Sequence, residues 1–442
     1  MKRVFYLTTV LSVALYSAPS YAQKASDSLL PQASLKDCIQ YALSHQPVVR
    51  QTLLDQDITE YNIKSKLADW YPQVGLNFNL QHYLKVPTSY FNGNYAQIGV
   101  ANTSAAAFQL NQNLFTRDLL LAGRTARDVR KQAKQNTESS RIDVVTNVSK
   151  AYYDLLLTQR QIDVLNEDVT RLERSLKDAY NQYQGGLVDK TDYKRATISL
   201  NNTRAQKKSG EEQLKAKNAY LRQLMGYPAN GALELTYDTL QMEQQVALDT
   251  NIAVAYENRI EIQLLETQKV LREADLKYNK WSFLPTVSAF ANYNFNYLHP
   301  EFSKLYNRNF PSSQIGLTLS VPIFQGSKRI HNIHAAELQI RRTDLDIENM
   351  RNQINTEYTQ AMSTYKANLN QYMVMKENVD LAREVYNLID LQYREGVKTY
   401  LEVITAQTDL RSAQLNYYNA LYTVLSSKID LQRALGTLTT NN

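Results

Sequence analysis

Between Val74 and Leu80 every second residue is apolar: Val74, Leu76, Phe78 and Leu80 alternate with Gly75, Asn77, Asn79 and Gln81. A period of two predicts a β-strand with one apolar and one polar face. Upstream, about Ser34 to Asp69 reads as one helix, opened by the N-cap candidate Ser34 and closed by Trp70-Tyr71-Pro72. Downstream, turn formers fill Lys85 to Asn94, among them Pro87, Asn92 and Gly93. Alternation resumes at Ala96, Ile98 and Val100 and runs through Phe108, Leu110 and Leu114, so a hairpin is expected over 73–115. Strands of about ten residues are longer than most in globular sheets and suit a tilted membrane crossing.

From Thr116 to Gln184 the rhythm becomes helical, with no proline and one glycine, Gly123. Ile162, Leu165, Val169, Leu172, Leu176, Ala179 and Tyr183 are spaced alternately three and four apart, which is a coiled-coil seam. At about 1.5 Å per residue such a helix is a rod of roughly 100 Å. Gly185 and Gly186 end it, because glycine suits the left-handed position that closes helices, and a return helix runs from about Thr191 to Met225 and stops at Gly226.

The same order then recurs. Tyr183 to Leu187 (YQGGL) is answered by Tyr393 to Val397 (YREGV), and 396 − 186 gives an offset of 210. The seam is answered at that offset by Tyr372, Met375, Val379, Ala382, Tyr386, Ile389 and Tyr393. A second hairpin is expected over 286–324, with Val287 to Tyr297 alternating, a loop from His299 to Ser313, and alternation again from Ile315 to Ile323. A helix from about Ala253 to Trp281 leads into it, and a second helical hairpin over 325–436 turns at Gly396, returns over Thr399–Leu435 and ends at Gly436. One unit, 23–226, is thus repeated as 251–436, with a weakly patterned insert at 227–250 and a tail at 437–442. A period this long, present twice, excludes a short-repeat solenoid.

Composition narrows the setting. Residues 1–22 carry Lys2 and Arg3, an apolar stretch from Val4 to Tyr16, and the small-x-small site Ser20-Tyr21-Ala22, the physics of a secretory signal peptide. Without Lys2 and Arg3 the formal charge falls from +6 to 47 − 43 = +4, with both signs interleaved, so no nucleic-acid partner is expected. The one cysteine, Cys38, has no internal partner and reads as a half-buried helix residue. His331 and His334 share a helix face without a carboxylate or cysteine in a ligand pattern beside them, so no metal or other cofactor is expected. No nucleophile elbow, phosphate loop, HExxH or CxxC occurs, and an enzyme is not expected.

Four amphipathic strands cannot close a membrane barrel alone, since single-chain barrels begin at about eight. Two chains would supply eight strands, filled by side chains; three would supply twelve, enough for a pore. Asn77, Asn79, Asn292, Asn294 and Asn296 fit a wet lumen, and the Val, Leu, Ile and Tyr face fits lipid. Trp70 and Trp281, the two tryptophans, each stand just before a strand, where a barrel meets the membrane boundary; packing at an ordinary junction is the other reading.

Signal peptide, long hairpin, long coiled coil, Tyr-x-x-Gly tip and return helix, all duplicated from about Ser34 to Gly436, resemble the TolC family of outer-membrane efflux ducts. The resemblance implies a homotrimer embedded in outer-membrane lipid. Its fold would be a membrane β-barrel of twelve strands, four per chain, continued by an all-α antiparallel coiled-coil tunnel in the periplasm. It implies docking of the helix tips at Gly185, Gly186 and Gly396 to a periplasmic adaptor, itself joined to an inner-membrane transporter for efflux or type I secretion. It also implies a latch at the closed end: Asp192 to the Tyr393 hydroxyl, with Lys398, where the family carries arginine, reaching Thr191 or Asp192 of a neighbouring subunit. Glu402 and Thr405 stand where the family rings its constriction with acid, and only Glu402 keeps the charge. The competing class is a membrane-anchored periplasmic coiled-coil spacer or adhesin, against which the two glycine turns and returning helices count.

Overall fold

The computed structural model describes residues 32–186, 189–231, 233–236, 239–249 and 252–438; the signal-peptide stretch 1–22 and the last four residues of the tail lie outside them. After a two-residue strand β1 (Gln32–Ala33), α1 (Leu35–His45) starts at Ser34 with a capping box closed by Asp37. The single helix expected over 34–69 is in fact broken. Pro47 lacks an N–H and forces the preceding residue out of the helical region, so Gln46 is extended and α2 (Pro47–Leu67) begins anew.

β2 (Gln73–His82) follows, and the stretch expected as a loop is a small hairpin, β3 (Thr88–Phe91) and β4 (Asn94–Gln97). Its turn is Asn92-Gly93 with φ of 50° and 84°, the primed turn that matches strand twist. The long strand resumes at Asn102 rather than Ala96, because Gly99 (φ 107°) breaks the extended run, and β5 spans Asn102–Phe115. Thr116 caps α3 (Arg117–Gln184), 68 residues or roughly 100 Å, and α4 (Lys190–Met225) runs back. β6 (Glu234–Leu235) pairs in parallel with β1, and α5 (Thr239–Gln244) follows. α6 (Ile260–Lys280) starts later than the expected Ala253, since 3₁₀ turn Tyr256–Asn258 precedes it. β7 (Thr286–His299) and β8 (Ser312–Ser320) form the second hairpin, and Pro322 leaves Val321 and Ile323 outside the ladder. α7 (Lys328–Arg394, 67 residues) and α8 (Tyr400–Leu435) complete the chain.

The four long strands make one antiparallel sheet in the order β2-β5-β7-β8. Its register keeps the two faces apart. Val74, Leu110, Ala291 and Ile315 fall in one apolar row, while Asn77, Ala107 and Asn294 fall in a polar one. Side-chain hydrogen bonds knit the polar face, Asn77 to Gln109 at 3.0 Å and Asn294 and Asn296 to Ser312 Oγ. Among the described residues no strand pairs with the outer edges of β2 and β8.

Below the sheet the helices form a layer in which α2 and α6 flank α3, α7 lies beyond α6, and α4 and α8 pack along α3 and α7 towards the tips. α1, β1, β6 and α5 collect on one face of this layer around a buried cluster that includes Cys38, Tyr152, Tyr365 and Leu425. Tyr152 and Tyr365 donate to Thr236 O and Val246 O, so even the phenols of this core are satisfied. Cys38 is fully buried there rather than half-buried. Trp70 and Trp281 sit on short 3₁₀ turns entering β2 and β7, with the Arg124 guanidinium 4.6 Å from the Trp281 ring centre.

Candidate aperture at the helix tips

Both helical hairpins end the same way, and the difference between the two glycines of the first is resolved. Gly185 keeps helical angles, while Gly186 (φ 74°) and Gly396 (φ 77°) take the left-handed conformation in which any side chain would be strained. Asp189 then caps α4 by accepting from Thr191 N at 3.0 Å, and Thr399 caps α8 through a capping box with Glu402.

Ala179, Ala196 and Tyr400 are buried at the tips, with Leu176, Tyr193, Tyr393 and Ile404 packed around them. The two alanines let α3 and α4 approach closely, and the aromatic rings of the second hairpin fill the space beside them. Tyr393 donates its hydroxyl to Gln182 Oε1 at 3.2 Å rather than to Asp192, the partner expected from sequence. Asp192 is half-buried and still acts on this cluster: after burial itself, its negative charge helps push the Tyr393 and Tyr400 phenols above their ordinary range. The Tyr400 hydroxyl is buried with no hydrogen-bond partner among the described residues.

For Lys398 the expected partner belongs to a neighbouring subunit; within its own chain the Nζ donates to Glu402 Oε1 at 2.6 Å, one turn along. The Lys398 hydrogen bond first, and then the Thr399 N–H and hydroxyl, pull the Glu402 carboxyl down to about 2. Glu402 therefore presents an ion pair instead of the bare carboxylate expected for a constriction ring. Thr405 donates back to Leu401 O and adds no charge. Thr191 is exposed, and its backbone N–H donates to the capping Asp189.

Further up the coiled coil is a cluster that sequence reading missed. Asp168, 1% exposed, accepts from Gln407 Nε2 at 2.8 Å, from Arg411 Nη1 at 3.0 Å and from Thr203 Oγ1 at 3.4 Å. Arg411 Nη1 also donates to Thr203 Oγ1 at 2.8 Å. The network joins α3, α4 and α8, so both return helices are tied to one carboxylate. Adding or subtracting the repeat offset of 210 puts Asn378 opposite Asp168 and Asn201 opposite Arg411, so the duplicate lacks it. That break in the symmetry was the available signal. Among the described residues no group of three or more metal-binding side chains occurs.

The comparisons agree with this geometry. Residues 38–227 and 251–437 match the family model described as outer membrane efflux protein. Outer membrane protein TolC of Escherichia coli (strain K12) is 23% identical, over 99% of this chain and 87% of its own. A probable efflux pump outer membrane protein, TtgC of Pseudomonas putida, is 23% identical over 91% of this chain and 83% of its own. Among solved structures, the Campylobacter jejuni CmeC outer membrane channel superposes with a TM-score of 0.73 at 15% identity, covering 96% of this chain and 92% of that one. CusC gives 0.73 at 18% identity, covering 94% and 95%. The chain belongs to the outer membrane efflux protein family and is the subunit of an outer-membrane efflux duct, a β-barrel continued by a long helical tunnel.

Proposed function

We propose that three copies close into one duct that carries substrates from an inner-membrane transporter and its periplasmic adaptor to the exterior. The observation that carries this is the four-stranded sheet with both edges free, running without a linker into helices of roughly 100 Å. Free edges of long strands demand partners, and three identical sheets joined β8 to β2 give a twelve-stranded pore. The polar row of asparagines lines it, and the apolar row faces lipid.

At the far end, the tips around Gly186 and Gly396 are the closed aperture and the surface that meets the adaptor. Tyr393, Gln182 and Asp192 form its latch, and the Lys398–Glu402 pair its constriction. Hydrogen bonds to a charged group contribute about 1.5–3 kcal/mol each, so a few per subunit hold a tip that a partner can still open. Trp70 and Trp281 mark the periplasmic membrane boundary. The test is the mass and shape of the mature protein from outer membranes. A trimer with a rod of about 100 Å leaving the detergent micelle is expected; a monomer, or a rod without a micelle, would overturn it in favour of the spacer.

A further inference from the structure

Arg124, Lys131, Glu138, Val145 and Tyr152 are seven residues apart in turn, so in a coiled-coil helix they share one line along α3. Val145 and Tyr152 on that line are buried, and Tyr152 reaches the small domain through Thr236. The upper part of the line therefore lies on the face of the helical layer that carries the small domain. Twelve helices packed about 10 Å apart enclose too little space for three such domains and a passage, so this face is the outside of the tunnel. α3 is flanked on both sides by α2 and α6 of its own chain. In the proposed trimer, on which this inference rests, a neighbouring subunit joins at the layer's ends and leaves this face open.

On it, α3 and the start of α6 border a groove of about 600 Å³. Arg127, Lys131 and Lys134 line it, all three exposed, and none has an ion-pair partner among the described residues. Arg130 is also there, but its fork is taken by Glu60 at 2.6 Å and 3.2 Å. Glu138, at one end, pairs with Arg141. The floor holds a second, independent sign of a missing ligand. Gln135 is 7% exposed, its Nε2 donates to Gln263 O at 3.2 Å, and its Oε1 has no donor among the described residues. A buried amide oxygen left unpaired is costly unless something supplies an N–H or O–H.

We infer that this groove binds an extended acidic peptide segment of a periplasmic partner, separately from any contact at the tips. Three observations point to a peptide. Two of the three free cations are lysines, which act as point charges suited to single carboxylates, and of the two arginine forks in the groove that of Arg130 is already occupied by Glu60. Along α3 the three cations span about 10.5 Å, a length that an extended chain covers in about three residues. A peptide also brings the backbone N–H that Gln135 Oε1 lacks. The groove begins about 15 Å along α3 from the barrel, beyond the reach of lipid headgroups.

The test uses the intact protein in nanodiscs and a fluorescein-labelled peptide of about ten residues with glutamate at every second position, read by anisotropy. A matched peptide with glutamine in place of glutamate, and inorganic pyrophosphate as competitor, separate peptide recognition from small-anion binding. Saturable binding of the acidic peptide alone is expected, weakened at least tenfold in the Lys131→Gln/Lys134→Gln variant with oligomeric mass and conductance unchanged. Gln135→Leu should weaken it further. Equal binding by wild type and the double lysine variant would overturn the proposal. So would displacement by pyrophosphate at matched charge with Gln135→Leu indifferent, which would leave only a small-anion site.

Discussion

Asp168 on α3 lies 3.0 Å from Arg411 on α8, with the carboxylate 1% and the guanidinium side chain 16% exposed. The pair links the long helix of the first repeat to the return helix of the second, about 27 Å from the tip at Gly186 by helix rise. Breaking a buried pair by removing one partner leaves the other charge unpaired and costs about 3–5 kcal/mol, whereas replacing both by apolar groups is often neutral. Asp168→Ala should therefore lower the thermal midpoint of the assembled protein markedly. Asp168→Leu combined with Arg411→Met should restore most of it. If the double variant melts as low as Asp168→Ala, the network is held by more than this pair.

The latch predicts its own failure mode. Tyr393→Phe removes the hydroxyl that Gln182 accepts, and Asp192→Ala removes the charge beside the Tyr393 and Tyr400 rings. Single-channel conductance in planar bilayers should rise in Asp192→Ala/Tyr393→Phe, and Gln182→Leu should reproduce part of the rise. Unchanged conductance in all of them would reject the closed-tip assignment.

Ion selectivity should follow Lys398. With its ammonium on Glu402, the three carboxylates of the proposed trimer would be paired, so the wild-type channel should be only weakly cation-selective. Lys398→Gln should increase cation selectivity, measured as reversal potential across a salt gradient. The sign with pH is fixed by the depressed carboxyl. Glu402 stays ionised in the wild type until pH falls towards about 2, and its contribution to stability is lost between the ordinary carboxylate value and there. Removing Lys398, the largest cause of the depression, should move the loss of selectivity to higher pH. A variant whose reversal potential and pH midpoint both match wild type would show that Glu402 does not face the permeation path.

The order of elements was legible because each has its own period. The seam residues Ile162, Leu165, Leu172 and Ala179 are buried as their spacing requires, and the register of β2 with β5 follows the alternation begun at Val74. What failed was local chemistry overriding the period. Pro47 divides α1 from α2 although apolar spacing continues, and Asn92-Gly93 makes a hairpin inside what composition alone reads as a loop. At the site, residue types were legible and partners were not. Tyr393 has an intrachain acceptor, Gln182, that no spacing rule selects over Asp192, whereas the Lys398–Glu402 pair follows the four-residue spacing of neighbouring helix turns. The Asp168 network draws Asp168 from α3, Thr203 from α4 and Gln407 and Arg411 from α8, segments far apart in sequence, so only the departure from internal symmetry marked it.

Gly226 gives the most direct test of how the small domain is joined to the helical layer. It closes α4 in the left-handed conformation at φ 68°, and a Cβ added there would stand 2.7 Å from the carbonyl oxygen of His45 and 3.0 Å from Gln46 Cα. Those atoms belong to the break between α1 and α2 that Pro47 enforces, so neither side has a flexible side chain to move away. Gly226→Ala should therefore combine left-handed strain of about 1 kcal/mol or more with a backbone collision, and lower the melting midpoint or the yield of assembled protein sharply. Gly396→Ala has the same strain at φ 77° with no atom within 4 Å of the added carbon, so it should cost only the strain. Measured side by side, a drop confined to Gly226→Ala would assign the loss to the α1–α4 contact. Equal drops would assign it to the left-handed conformation alone.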